Sequence, residues 1–163
     1  MAALSILPIV DRDLPFVREM LYEAAFWRGT TDAPDIAGAL SQPGLAVYVE
    51  DWGRPGDAGL IARVRGARAG AVWVRRFRDD HHGYGYIDER TPELSIAVAT
   101  DHRGRGIGRC LVTAMLVELG LRAVEQVSLS VETDNPARAL YEGLGFVSRQ
   151  AAEGAVTMVR TPP

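Results

Sequence analysis

The sequence predicts one mixed-sheet domain of the α/β or α+β class, and two observations carry that prediction. In the second half of the chain, short apolar runs of strand length alternate with helical stripes. Strands over 94–99 and 127–131 are joined through a helix, which predicts a right-handed crossover between parallel neighbours. The 163 residues, of which 47% are hydrophobic and 24% charged, are expected to form a single domain over 1–163.

The chain opens with a strand and a helix. Because proline has no N–H, Pro8 places the apolar run Leu4–Val10 at the edge of a sheet. Apolar residues then recur at helical spacing over Leu14–Ala24, with Asp11 or Asp13 as the N-cap.

The middle of the chain is harder to divide. A second helix is expected near Pro34–Leu40, and Pro43–Trp52 is interpreted as a third, although its alternating apolar residues also fit a strand. Two strands, Leu60–Val64 and Ala71–Phe77, are expected to form a hairpin. The polar segment Arg78–Gly85 is expected to be a mobile loop.

The second half divides clearly into alternating strands and helices. Its expected elements are a strand at 93–100, a helix at 109–121, a strand at 127–131, a short helix at 135–144, and two final strands at 146–149 and 155–160.

Charge and composition exclude several functions. A net charge of −3 gives no basic surface for nucleic acid. All 18 basic residues are arginine, so lysine Schiff-base chemistry and a phosphate-loop lysine are excluded. One cysteine, Cys110, forms neither an intramolecular disulfide nor a multi-cysteine zinc cage. Because Pro8 interrupts the apolar N-terminus and no apolar run is long enough to span a bilayer, a cytoplasmic protein is expected.

The most informative segment is a glycine-rich turn between a strand and a helix. Gly104, Gly106 and Gly108 alternate there, so several N–H groups are free to converge on one point beside the positive end of the helix dipole. The spacing fits neither the dinucleotide fingerprint nor the nucleotide-hydrolase loop. Arginines interspersed with the glycines favour a phosphate ligand over a tight turn without one. These are Arg103, Arg105 and Arg109.

At these residues the sequence resembles the GNAT superfamily of acyl-coenzyme-A-dependent N-acetyltransferases. Its first signature is matched by Arg103, Gly106 and Gly108, and a second runs from Asn135 to Phe146. The order of elements fits over nearly the whole chain. The resemblance implies a mostly antiparallel sheet of about six to seven strands with one parallel splayed pair, flanked by about four helices. One departure is Thr100, where members often carry proline.

The resemblance also implies how acetyl-CoA is bound as a co-substrate without a metal. Between the splayed strands, the backbone of one strand would bond the pantetheine arm like an added strand. The glycine loop would hold the pyrophosphate, and two residues of the second signature would close the site. The residues implied for the pantetheine arm are Ile96, Ala97 and Val98. Those implied for the pyrophosphate are Arg103, Gly104, Arg105, Gly106, Ile107, Gly108 and Arg109. The two residues of the second signature are Asn135 and Tyr141.

The implied reaction is direct attack of a primary amine, from a small molecule or a protein, on the acetyl thioester. Tyr141 is the candidate acid for the departing thiolate, because a phenol stays protonated at neutral pH; its alternative is a helix aromatic packed on the sheet. Glu93 is the candidate base, directly or through water, and its alternative is a solvated carboxylate. A backbone N–H near Val98 would face the developing oxyanion.

The resemblance implies an acceptor pocket built from the first two helices and the loop between strands, which here means roughly Tyr22–Thr31 and Phe77–Asp88. Core packing and a solvated acidic loop are the alternatives for these segments. The expected aromatic walls are Phe26, Trp27, Trp73, Phe77, Tyr84 and Tyr86, and the expected acidic groups are Asp79, Asp80, Asp88 and Glu89.

Three further expectations concern isolated residues and assembly. Adjacent His81 and His82 are not expected to form a metal pair, and His102 is expected beside the cofactor. The apolar neighbours of Cys110 predict a buried structural thiol. A homodimer is the default among soluble oligomers. The alternative function is a non-catalytic acyl-CoA-binding regulatory module on the same fold.

Overall fold

The computed structural model describes residues 3–163, so Met1 and Ala2 lie outside the described range. Seven strands form one sheet in the order β1-β2-β3-β4-β5-β7-β6. The strands are β1 Leu4–Pro8, β2 Ala58–Val64, β3 Ala67–Arg75, β4 Glu93–Val98, β5 Val127–Glu132, β6 Val147–Ala152 and β7 Ala155–Arg160. The helices are α1 Leu14–Ala25, α2 Ile36–Leu40, α3 Pro43–Ala46, α4 Ile107–Leu121 and α5 Ala137–Gly143.

The sheet separates two hydrophobic layers because successive side chains of a strand point to opposite faces. Helix α4 packs on one face, where Leu111 and Met115 are fully buried against residues such as Val72. Helix α1 packs on the other face, where Trp73 is fully buried. Strand β4 therefore sends Leu94, Ile96 and Val98 towards α4, and Ala97 and Ala99 towards α1.

The parallel pair β4–β5 separates almost at once. Its register has one pair, Glu93 with Ser128, and the Ser128 N–H donates to the carbonyl of Pro92 at 3.0 Å. All other neighbouring strands are antiparallel among residues 3–163. The predicted mixed sheet with one splayed parallel pair is confirmed, and it leaves a gap between the carboxyl ends of β4 and β5.

The structure corrects several predicted boundaries. The hairpin turn is only Arg65–Gly66, both residues having positive φ, so β3 begins at Ala67. The third predicted helix, Pro43–Trp52, is helical only over Pro43–Ala46, and turns follow as far as residue 51. The second half of the loop predicted to be mobile is packed into the molecule, where Gly83 and Gly85 are buried. Residues 3–163 contain five α-helices, in agreement with the implied number of about four, and α2 and α3 are only a single turn or slightly longer.

Candidate active site

A cleft of about 1670 Å³ opens where β4 and β5 separate. Its walls come from the end of α1, the outer parts of β4 and β5, the turn before α4 and the start of α5. Because the strands no longer bond to each other there, the cleft has free backbone groups on both sides. The site is therefore suited to an extended ligand that adds to the sheet edge.

The turn before α4 supplies free amides at one end of the cleft. No N–H of residues 104–109 has an acceptor in residues 3–163, and the first helical bond runs from Cys110 to the carbonyl of Gly106. Gly106 adopts the left-handed conformation, with φ +80°, and a side chain on Gly104 or Gly106 would meet no atom within 4 Å. This open, amide-lined turn at a helix N-terminus fits a diphosphate.

Gly108 has a different role in the same turn. A Cβ on this residue would lie 3.4 Å from Leu140 and 3.8 Å from Val98. These are ordinary van der Waals distances, so a methyl group would fit there, whereas a longer side chain would extend beyond Leu140 and Val98.

The three arginines of the turn differ in their surroundings. The Arg103 guanidinium donates to the carbonyl of Val98 at 3.0 Å and to Glu23 at 2.9 Å, so it ties the turn to β4 and α1. Arg105 is exposed and does not line the cleft. Arg109 lines the cleft and has no ion-pair partner in residues 3–163. Of the three, Arg109 has the guanidinium most available to a phosphate.

Backbone direction along β4 follows from its pairing with β3. The Ala99 N–H donates to Ala69 at 2.8 Å, and alternate residues of an antiparallel strand bond to the same neighbour. Ala97 therefore points its backbone groups towards β3, whereas Ile96 and Val98 point theirs into the gap. The expectation of a pantetheine bond is thus kept for Ile96 and for the N–H of Val98, whose carbonyl accepts from Arg103 at 3.0 Å, while the backbone of Ala97 is already used within the sheet.

Glu93 lies buried at the closed end of the gap. Its side chain is on the α1 face, and the residue is only 3% exposed. One carboxylate oxygen accepts from the Tyr48 hydroxyl at 2.5 Å and the other from the Gly85 N–H at 3.0 Å. Burial raises the pKa of Glu93 to about 7, against the opposing effect of these two hydrogen bonds. The alternative of a solvated carboxylate is therefore wrong, and a group that titrates near neutrality lines the cleft.

Tyr141 and Asn135 reach the cleft from the α5 side. Tyr141 packs edge-on against Phe146, with ring centroids 6.0 Å apart, and its hydroxyl has no hydrogen-bond partner in residues 3–163. Burial raises the pKa of Tyr141 to about 12, so the phenol is a proton donor at neutral pH. The Asn135 side-chain oxygen accepts from the Ala137 N–H at 2.9 Å and caps α5. The Asn135 carboxamide NH₂ has no partner in the described chain.

The expected aromatic walls are only partly present. Phe26, Trp27 and Tyr84 line the cleft. Trp73, on the central strand β3, and Phe77, just after it, are instead buried in the core under α1. Tyr86 is stacked on His82, with ring centroids 4.3 Å apart, and does not line the cleft.

The expected acidic groups lie elsewhere. Asp79, Asp80, Asp88 and Glu89 do not line the cleft, since their loop turns away before β4. The carboxylates that do line it include Glu132 and Asp134 at the end of β5. The Arg28 guanidinium binds Glu132 at 2.5 Å and Asp134 at 2.7 and 2.8 Å, which bridges α1 to β5. The hydrogen bond from Arg28 lowers the pKa of Asp134.

The histidines and the cysteine occupy separate places. His102 lines the cleft, and its buried Nδ1 has no partner in the described residues. His81 bonds to Glu50 at 2.5 Å, away from His82, whose ring faces Tyr86. Cys110 is exposed, so the prediction of a buried thiol is wrong. The apolar neighbours Leu111 and Val112 turn inward and leave Cys110 on the outer face of α4.

Three residues beside Glu93 were not predicted from the sequence: Tyr48, Gly83 and Gly85. Tyr48 lies in the segment that fitted both helix and strand, and its hydroxyl reaches Glu93 across 45 positions of the chain. The pattern Gly83-Tyr84-Gly85 was an available signal, because two glycines around one aromatic residue indicate close backbone approach.

Comparison with known proteins identifies the class to which this fold and cleft belong. A family model described as an acetyltransferase (GNAT) domain matches residues 55–148. The chain belongs to the GNAT acetyltransferase family.

Several curated acetyltransferases are similar to this chain over only part of their own length. A mycothiol acetyltransferase from Nocardiopsis dassonvillei is 33% identical over 138 residues, which are 81% of this chain and 41% of the relative. One from Corynebacterium aurimucosum is 37% identical over 59% of this chain and 32% of the relative. The ribosomal protein bS18-alanine N-acetyltransferase of Escherichia coli is 43% identical over 37% of this chain and 40% of the relative. The chain thus spans between 32% and 41% of these curated relatives.

Solved structures share the fold over almost the full chain. The PaiA N-acetyltransferase of Thermoplasma acidophilum in complex with coenzyme A has a TM-score of 0.73 at 15% identity, covering 98% of this chain and 99% of that one. A ribosomal-protein-alanine N-acetyltransferase from Brucella melitensis has a TM-score of 0.69 at 23% identity, covering 96% and 99%. At these identities the likeness shows the fold.

In residues 3–163, no helix is long and apolar enough to cross a bilayer.

Proposed function

We propose that the protein is an acetyl-CoA-dependent N-acetyltransferase that acts on a primary amine of a small molecule or a protein. One observation carries this proposal. A single cleft contains an amide-lined helix N-terminus, the buried carboxylate of Glu93 with its pKa raised to about 7, and the phenol of Tyr141, which has no hydrogen-bond partner in residues 3–163. Family membership supports the same reaction class. The mycothiol and bS18-alanine acetyltransferases among the relatives include both a small-molecule and a protein acceptor by name.

The chain offers a continuous set of groups for coenzyme A. The free amides of residues 104–109 and the Arg109 guanidinium suit its diphosphate. The backbone N–H and carbonyl of Ile96 suit the amides of its pantetheine arm. The Val98 carbonyl accepts from Arg103 at 3.0 Å, which leaves the Val98 N–H for the thioester oxygen. Asn135, which lines the cleft beyond the strand gap, has its side-chain NH₂ available to the same arm.

When bound, acetyl-CoA supplies a thioester carbonyl that is open to attack by an amine. Glu93 takes the proton that the amine must lose, directly or through water, and near pH 7 a large fraction of it is ionised. The Val98 N–H, which points into the gap, donates to the developing oxyanion. Tyr141 donates its phenolic proton to the departing sulfur, and its raised pKa keeps that proton in place until then.

We also propose that residues 1–163 act as one catalytic domain in the cytoplasm and form a homodimer. The seven-stranded sheet and its two hydrophobic layers run from Leu4 to Arg160, which supports a single unit. Light scattering of the purified protein tests the dimer.

Calorimetry with coenzyme A tests the cofactor site. The wild-type protein should bind it with micromolar affinity, and Gly106→Arg should abolish binding because the new side chain occupies the open turn. If the wild type takes up no heat with either coenzyme A or acetyl-CoA, the proposal fails.

Turnover separates an enzyme from a regulatory binding module. Free thiol should appear with at least one amine in a panel of small amines and N-terminal peptides, above the background of thioester hydrolysis. The chain has no lysine, so self-acetylation is restricted mainly to its α-amino group and leaves the assay background low. Coenzyme A binding without amine-dependent thiol release across the panel would instead favour the regulatory module.

A further inference from the structure

The Tyr48 hydroxyl joins three parts of the active-site cleft. It donates to Glu93 at 2.5 Å and accepts from the Tyr84 N–H at 2.7 Å. The next backbone N–H, that of Gly85, donates to the other oxygen of Glu93 at 3.0 Å. Tyr48, Glu93 and the segment 84–85 therefore form a closed ring of hydrogen bonds.

Two glycines allow this ring to form. A Cβ on Gly83 would lie 2.3 Å from the Tyr48 hydroxyl oxygen and 2.8 Å from Glu93. A Cβ on Gly85 would lie 2.8 Å from the backbone of Leu129 and Ser130 and 3.0 Å from the Glu93 carboxyl carbon. Both glycines lack a side chain where the loop passes directly against the carboxylate.

Tyr48 is itself held rigidly. Its carbonyl accepts from the Trp73 indole N–H at 3.0 Å, and its ring packs edge-on against Phe77 at 5.7 Å. The preceding carbonyl, that of Val47, accepts from the buried Arg75 at 3.0 Å. The Tyr48 hydroxyl is thus held in one position by the core, from which it orients both the segment 84–85 and the Glu93 carboxylate.

The loop held by Tyr48 also places an aromatic side chain in the cleft. Tyr84 is 70% exposed and lines the cleft, and its hydroxyl lies 2.8 Å from where a Cβ on Gly44 would stand. One hydrogen-bonded ring therefore connects the candidate base to an aromatic wall of the acceptor region.

We propose that Tyr48 is a positioning residue, whose hydroxyl holds the Glu93 carboxylate and the Tyr84–Gly85 segment in the arrangement needed to take a proton from the acceptor amine. This inference rests on the proposed function. Tyr48 favours the ionised form of Glu93 by donating to it, which opposes the cost of burial.

Few other charged groups face Glu93. On β3, Arg75 is its register partner, but that guanidinium is bound to Asp57 at 2.9 and 3.0 Å and to carbonyls of the turn after α3. On β5 the register partner is Ser128, whose hydroxyl donates to the Gly85 carbonyl at 2.7 Å. Tyr48 is therefore the side chain that sets the protonation of Glu93 most directly.

A titration without substrate tests the proposal independently of turnover. The side-chain carboxyls are followed by ¹³C NMR in protein labelled at glutamate, and the Glu93 signal is assigned with Glu93→Gln. Tyr48→Phe keeps the ring but removes the donor, so the midpoint of Glu93 should rise by about one pH unit. A midpoint that stays at its wild-type value overturns the proposal, even if the proposed acetyl transfer is confirmed.

The pH profile of turnover gives a second readout. If Tyr48→Phe acts through Glu93, kcat/KM should fall about tenfold on the acid limb and recover as pH rises above the new midpoint. A loss of equal size at every pH indicates a structural role and contradicts the proposal. Tyr22→Phe is the matched control, since it removes a hydroxyl that donates to the Pro34 carbonyl at 2.7 Å outside the cleft. In this variant the pH at which kcat/KM begins to fall on the acid side should stay at its wild-type value.

Gly83→Ala covers the case in which Tyr48→Phe fails to fold. The new methyl group would lie 2.3 Å from the Tyr48 hydroxyl oxygen and 2.8 Å from Glu93, so at least one of these groups must shift and the hydrogen bond between them should weaken, while both side chains are kept. The Glu93 midpoint should again rise, and an unchanged midpoint in this variant contradicts the proposal as well.

Discussion

At the glycine-turn end of the cleft, the groups available to a ligand are mainly backbone amides from one continuous segment, residues 104–109. At the Glu93 end they are side chains from separate segments, with Tyr48 and Glu93 lying 45 positions apart. A site made of consecutive amides requires only the right local conformation. A site made of distant side chains requires the whole sheet, both helical layers and a packed loop.

This difference predicts that the two ends respond differently to substitution. Changes at the glycine turn should abolish cofactor binding, whereas changes at the Glu93 end should leave binding intact and alter turnover and its pH dependence.

The largest effect is expected for Gly108→Glu. The substituted side chain would place a negative charge in the turn proposed to hold the diphosphate, while its Cβ would make only ordinary contacts with Leu140 and Val98. Coenzyme A affinity measured by calorimetry should fall by at least about 100-fold. Cys110→Glu is the matched control, because it adds the same charge one half-turn further along on the exposed face and should change affinity only slightly. Equal losses in both variants would contradict a specific role for the turn.

Tyr141→Phe should separate turnover from binding. Removing the phenolic proton donor should lower kcat by about 100-fold or more, the range expected for a general acid. The dissociation constant of coenzyme A should stay close to that of the wild type, because the ring and its contact with Phe146 are retained. Rapid-quench or thiol-release kinetics give kcat, and an unchanged kcat would assign Tyr141 to packing alone.

The local conformation at the glycine-turn end of the cleft is easier to predict from the sequence than the surroundings of Glu93, for the same physical reason. Alternating glycines before an apolar helix identify residues 104–109 without any tertiary information. Glu93 stands out on a strand face with small neighbours, but its burial is not predicted, since Tyr48 comes from a segment that fits both helix and strand and Gly85 from a loop expected to be mobile. Trp73 and Phe77 were assigned to the pocket because aromatic type alone does not distinguish a core position from a wall.

Glu93 should also make folding stability depend on pH. Its folded pKa of about 7 lies above the ordinary value of 4.5, so between these values the folded state retains a proton that the unfolded state loses. The free energy of unfolding should therefore decrease by roughly 3 kcal/mol in total as pH rises through this window. Urea unfolding of the wild type and Glu93→Gln at several pH values measures the difference, and the variant should lack this component. If the free energy of unfolding changes with pH by the same amount in the two proteins, the raised pKa of the buried Glu93 carboxylate is contradicted.

The smallest effect is expected at the bridge from α1 to β5. Arg28 and its partners Glu132 and Asp134 are about half exposed, and such ion pairs contribute little to stability because water and salt screen them. Arg28→Gln should lower thermal stability by no more than a few degrees, and by less in high salt. A large loss that salt does not alter would show that the bridge is coupled to the core.

A crystal structure of the protein with coenzyme A tests the central claim most directly. The account predicts that the diphosphate lies against the amides of residues 104–109 and that the pantetheine arm enters between β4 and β5, with its sulfur near Tyr141. A diphosphate bound elsewhere, or an arm that does not enter the gap between these strands, would contradict it.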